Sequence, residues 1–161
     1  MNRMTMGFCL ALAGFAAGCS SSSTDDTTTG SKDAGVVLGD GATFTKVYDQ
    51  VIKGYSCLDC HVPGKEGVTQ GQLDLSTQAK AYADLVNIPA AGAACASSAL
   101  IRVVPNDAKG SLIVQKTDTK TPPCGGQMPL GCGTDGGPPK CLGDDDLAPL
   151  ESWINAGAQN N

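Results

Sequence analysis

The stretch SCLDCHVPG, residues 56–64, constrains this chain more than any other. Cys57 and Cys60 stand two residues apart and His61 follows directly, the spacing at which two thiols tether one edge of a c-type haem and the adjacent imidazole meets its iron. A fold organised around such a group has a core part of which is not protein. Composition agrees: aromatic residues make up only 4% of the chain, against 21 glycines and 9 prolines, so large apolar side chains are scarce and a cofactor can supply the missing apolar mass. With 161 residues the chain is long enough for one domain with a real core and too short for two well-packed ones.

Residues 1–18 read as an export signal. Arg3 gives a short positive region, residues 4–17 are an apolar run too short for an ordinary membrane-spanning helix, and small residues lead into Cys19. Ala16-Ala17-Gly18-Cys19 resembles a bacterial lipobox, which predicts cleavage before Cys19 and lipidation of that cysteine. A plain secretory signal with an incidental cysteine is the rival, and it exports the protein too. Residues 19–40 are rich in Ser, Thr, Asp and Gly and low in hydrophobes, the composition of a disordered tether, with a reach of about 25 Å. Ser20 is not the aspartate that often follows the lipidated cysteine in inner-membrane proteins, which points toward the outer membrane or its periplasmic face.

The folded domain is expected over residues 41–161, with loop-rich stretches around the motif. Phe44, Val47, Tyr48, Val51, Ile52 and Tyr55 follow helical spacing, so the first helix is predicted to run up to Cys57. Residues 64–71 read as loop, and Ser76 or Thr77 as the cap of a helix through Val86. Residues 100–105, LIRVVP, are an ambiguous extended run, and residues 111–116 a short helical turn or two. From Thr117 to Gly143 repeated Gly and Pro argue against regular structure. A final helix, capped within Asp144-Asp145-Asp146, carries Leu147, Leu150, Trp153 and Ile154 on one face, with Gly157 as its stop. Trp153, Tyr48 and Tyr55 are expected as packing residues.

Of the 8 cysteines, Cys9 leaves with the leader, Cys19 takes lipid, and Cys57 and Cys60 belong to the motif. The remaining four, Cys95, Cys124, Cys132 and Cys141, form an even set in an exported chain and read as two disulfides, for which three connectivities exist. Cys95–Cys124 and Cys132–Cys141 are favoured because each closes a moderate loop around the irregular segment. The competing use, a zinc site, lacks a second tight pair of cysteines and a second histidine. A redox-active dithiol at Cys57 and Cys60 is the other competitor, and it lacks the surrounding βαβ pattern.

Because His61 is the only histidine, a second imidazole from the same chain is unavailable to the other face of the iron. Met1, Met4 and Met6 lie in the leader, which leaves Met128, in CGGQMP, as the candidate sixth ligand. The formal charge is −5, from 16 acidic and 11 basic residues without a Lys/Arg cluster, so nucleic-acid binding has no electrostatic support. A redox partner with a neutral or basic surface fits better.

Residues 44–158 resemble a small monohaem c-type cytochrome, specifically the planctomycete-type cytochrome C domain of bacterial lipoproteins. The resemblance lies in SCLDCH, GQLDLSTQAKAYADLVN, Cys95, RVVPNDAKGSLIVQK, CGGQMP and LESWINAGA, in that order. It implies an all-α fold whose first and last helices pack near the haem edge, with His61 and Met128 as axial ligands. The chain departs from common cytochromes at Gly71-Gln72-Leu73, where the proline whose carbonyl supports the axial histidine is missing, so the partner of the His61 ring is unassigned. The 132–141 loop looks like an insertion. The expected function is single-electron transfer by a monomer rather than catalysis. The alternatives are a haem sensor or peroxidase-like module with an open sixth position, and a haem-free disulfide-rich surface module. Replacing Cys19 by Ser is expected to release the protein from membranes, or to block its processing, without changing the haem content of the folded domain; membrane fractionation after signal cleavage checks it.

Overall fold

In the computed structural model, residues 42–133 and 139–161 are described, all within the unit Val36–Asn161. The export signal expected over residues 1–18, the lipidation expected at Cys19 and the tether expected over residues 19–40 lie outside them. Five α-helical elements follow in order: α1 (Phe44–Val47), α2 (Glu66–Thr69), α3 (Gln78–Leu85), α4 (Leu112–Asp118) and α5 (Asp144–Asn155). Among the described residues there are isolated β-bridges but no strand. The described residues are helix-rich and without strands, consistent with the all-α class that the resemblance implies. No helix among these residues is long and apolar enough to cross a membrane.

The first helix begins where Thr43 accepts the Lys46 N–H on its hydroxyl, an N-cap that satisfies one of the helix's orphan donors. It is shorter than its apolar stripe suggests. After α1 the chain widens into a π-helical turn, Tyr48–Ile52, closed by the Lys53 N–H on the Tyr48 carbonyl, and the helix ends there. Phe44, Val47, Tyr48, Val51 and Ile52 are buried as predicted, and Tyr55, past the helix end, packs half-buried against the same core.

Residues 64–71 depart from the loop expected of them, because Glu66–Thr69 makes one helical turn. Further on, Thr77 caps α3 by accepting the Lys80 N–H, in line with the sequence. The extended run beyond α3 bridges Val86 to Val103 and Pro89 to Ile101, folding residues 86–104 back on themselves. The last helix starts from Gly143 as N-cap, one residue before the predicted aspartates, while Asp146 supplies the cap by accepting the Gly143 N–H at 3.2 Å. All three aspartates therefore occupy the first turn, where negative charge favours the positive end of the helix dipole. Gly157, with φ +98°, ends it: its N–H meets the Ile154 carbonyl and the Ala158 N–H the Trp153 carbonyl, the paired bonds of a Schellman stop.

The first and last helices pack together. Trp153 lies 4.9 Å from Phe44, ring centre to ring centre, and Tyr82 meets Phe44 edge-on at 5.3 Å. Asn161 closes the contact by accepting the Phe44 N–H on its side chain and the Thr45 N–H on its backbone carbonyl. A smaller apolar cluster, Ala90, Cys95 and Leu112, lies beneath the Cys95–Cys124 disulfide. The second disulfide joins Cys132 to Cys141. Closing the longer of these loops stabilises the fold by roughly 3–4 kcal/mol through the entropy it removes from the unfolded chain. Since the core holds few aromatic rings, Trp153→Ala is expected to cost about 3–5 kcal/mol, and Asn161→Ala, which removes only a cap, about 1 kcal/mol, both read from urea unfolding midpoints.

Candidate functional site

The motif occupies a tight turn. Ser56, in the left-handed region at φ 56°, turns the chain into the 3-10 helix Cys57–Asp59. The His61 N–H then donates to the Cys57 carbonyl at 2.9 Å, bringing the histidine back over the first cysteine of the pair. Cys57 and Cys60 are not paired with each other or with another cysteine. Cys60 is exposed, whereas Cys57 is partly sheltered and its thiol is pushed up to about 11 by burial. A thiol so raised is a weak nucleophile at neutral pH, which disfavours Cys57 as the attacking member of a redox-active dithiol. The zinc reading also loses its ligands, because all four remaining cysteines are in disulfides.

His61 is held at three points. Its carbonyl accepts the Leu75 N–H at 2.8 Å, its own N–H is engaged as described, and its ring Nδ1 lies 3.1 Å from the Leu73 carbonyl. A carbonyl can only accept, so Nδ1 carries the proton and the lone pair is at Nε2. Burial lowers the His61 pKa, with the Arg102 and Lys116 charges acting in the same direction and the Leu73 and Gly67 carbonyls opposing, so the ring is neutral at pH 7. The chain therefore presents a neutral, oriented imidazole nitrogen able to bind a metal, directly after two unpaired thiols.

Three residues to which the sequence assigned no role make this arrangement, one of them in the Gly71-Gln72-Leu73 stretch where the ring's partner was left open. Leu73 supplies its carbonyl at the place where the missing proline left the histidine's partner open. Gly67 lies against the ring: a Cβ there would stand 2.6 Å from His61 Nδ1 and 2.5 Å from the Cys60 carbonyl oxygen, so only glycine fits. Arg102, buried, donates from Nη1 to the Asp84 carbonyl at 2.7 Å and from Nη2 to the Gln72 carbonyl at 2.6 Å, fixing the peptide just before Leu73. An arginine inside an otherwise apolar extended run was the one sequence signal for it. Tyr48 adds a further tie, its hydroxyl donating to the Leu75 carbonyl at 3.0 Å.

Met128 is half-buried on the irregular segment after α4, and its N–H donates to the Lys116 carbonyl at 2.7 Å. The Lys116 ammonium donates to the carbonyls of Cys124 and Gly126, at 2.8 and 3.1 Å. Its charge acts on His61, so the helix that anchors the methionine segment is within electrostatic range of the imidazole. A separate open cleft of about 500 Å³ lies on the N-terminal side of the motif, lined by Tyr55, Ser56, Lys140 and Asp146 among others. There the Tyr55 hydroxyl donates to Asp146, which holds the phenol at about 12 and draws the carboxyl below its ordinary value. His61 does not line this cleft.

No protein-family profile, curated protein or solved structure matches this chain. The resemblance to c-type cytochromes therefore stands on the residues themselves. Gly67→Ala is expected to destabilise the protein by about 1–3 kcal/mol by pressing a methyl group into the His61 ring. A urea unfolding titration against wild type checks it.

Proposed function

We infer that this protein is an exported monohaem c-type cytochrome, anchored by lipid at Cys19 to a bacterial membrane, that passes single electrons to and from a redox partner protein. The observation that carries the reading is the His61 ring, bonded through Nδ1 to the Leu73 carbonyl and placed directly after two unpaired cysteines. This donor set suits haem c: Cys57 and Cys60 would hold it as thioethers, and His61 Nε2 and Met128 Sδ would ligate its iron. Haem so bound supplies a one-electron ferric/ferrous couple.

The chain's own residues set the conditions for that couple. Leu73 holds the His61 proton on Nδ1 and keeps the ring from rotating, which also makes Nε2 the more basic donor. A thioether from Met128 is neutral and favours the ferrous state over what a second nitrogen ligand gives. Neither role needs a proton to move, and the reading assigns no general acid or base. The net charge of −5 suits a neutral or basic partner surface.

Expression in a host with cytochrome c maturation is expected to give a red protein whose haem resists acid-acetone extraction. The ferric protein should show the weak long-wavelength sulfur-to-iron band, and Met128→Ala should remove the band, lower the potential and open the iron to cyanide. His61→Ala should impair stable haem coordination altogether. A colourless mature protein overturns the haem reading. Covalent haem without the band, binding cyanide as readily as Met128→Ala, replaces the electron carrier by a sensor or peroxidase-like module.

A further inference from the structure

Between Cys124 and Met128 every second residue is tied to Lys116. Its Nζ donates to the Cys124 carbonyl at 2.8 Å and the Gly126 carbonyl at 3.1 Å, and its backbone carbonyl accepts the Met128 N–H at 2.7 Å. The residue between the two carbonyls, Gly125, has φ +61°, and a Cβ there would stand 3.0 Å from the ammonium. The left-handed turn at Gly125 thus accompanies two carbonyls that converge on one cation, at a position where a side chain would crowd it. Upstream, the Cys95–Cys124 disulfide fixes the start of the segment. Beyond it, Pro129 is buried and Leu130 is 65% exposed. Neither carboxylate ion pair of the described residues involves Lys116, whose ammonium is bonded to backbone carbonyls.

We propose that Lys116 is the positioning residue for the sixth iron ligand: its ammonium, gripping the carbonyls of Cys124 and Gly126, holds the 124–128 segment so that Met128 stays on the iron. The proposal rests on the His61/Met128 ligation inferred above. It assigns to one side chain the strength of the methionine bond against competing ligands. Bonds from a charged donor to backbone carbonyls are the stronger kind, and losing them lets the segment swing away from the haem more often.

The test uses the mature holoprotein and three variants, with cyanide as the competing ligand. Lys116→Leu keeps the apolar stem and removes the donor. It is expected to retain covalent haem one-to-one, to weaken the ferric sulfur-to-iron band, and to bind cyanide about ten to a hundredfold more tightly than wild type. Amide exchange at Met128 should quicken in parallel. Lys116→Arg, which restores a cationic donor, should recover most of the wild-type band and cyanide affinity. Gly125→Ala leaves the lysine in place and pushes a Cβ toward its ammonium; it should shift the same readouts in the same direction, and it decides the case if Lys116→Leu does not accumulate. Wild-type values of band and cyanide affinity in Lys116→Leu, or in Gly125→Ala where that variant stands in, overturn the positioning role and leave the Met128 ligation intact. A wild-type protein that lacks the band overturns the ligation and this proposal together.

Discussion

The contact on which the site depends is the hydrogen bond from His61 Nδ1 to the Leu73 carbonyl. It determines which ring nitrogen holds the proton, and so which one has a lone pair to offer. The bond in turn requires the segment 72–75 to run beside the motif at hydrogen-bonding distance. Two side chains from other parts of the chain keep it there, the Tyr48 hydroxyl on the Leu75 carbonyl and the Arg102 guanidinium on the Gln72 carbonyl, while the segment's own Leu75 N–H donates to the His61 carbonyl. The first helix and the extended run after α3 thus meet at the histidine through a scaffold made mostly of backbone.

A buried arginine is costly unless each of its donors is used, and backbone carbonyls are available wherever the chain turns. Arg102 spends its donors on the end of α3 and on the Gly71–Gln72 peptide, so packing of that helix and placement of Leu73 are coupled. Lys116 plays a similar part on the methionine side with a half-buried ammonium. In a chain with so few aromatic residues, cations bonded to carbonyls and two disulfides do structural work that larger cores leave to apolar packing.

Helices α3 and α5 were legible because their apolar periodicity, the Thr77 cap, the first-turn aspartates and the glycine stop are local properties of the sequence, whereas α4, read as a turn or two over residues 111–116, runs on through Asp118 into the stretch expected to be irregular. The pairing of Cys95 with Cys124 and of Cys132 with Cys141 matched the preference for moderate loops. The first helix was read a few residues too long. Its stripe continues to Tyr55 because that side chain still reaches the core after the helix has ended, and periodicity registers burial rather than backbone hydrogen bonds. The turn at Glu66–Thr69 was missed because a single turn is too short to display a period.

The candidate site divides in the same way. Cysteine spacing, a lone histidine and a single methionine after residue 6 are facts of side-chain identity, and the sequence by itself determined them, together with the helical character of the domain and the four bridging cysteines. Which carbonyl receives the His61 proton, which glycine lies against the ring and which cations grip the two loops were decided only by the tertiary structure. Every residue carries a carbonyl, so nothing in the letters distinguishes Leu73 from its neighbours; only the path of the folded chain brings one of them to 3.1 Å from the imidazole.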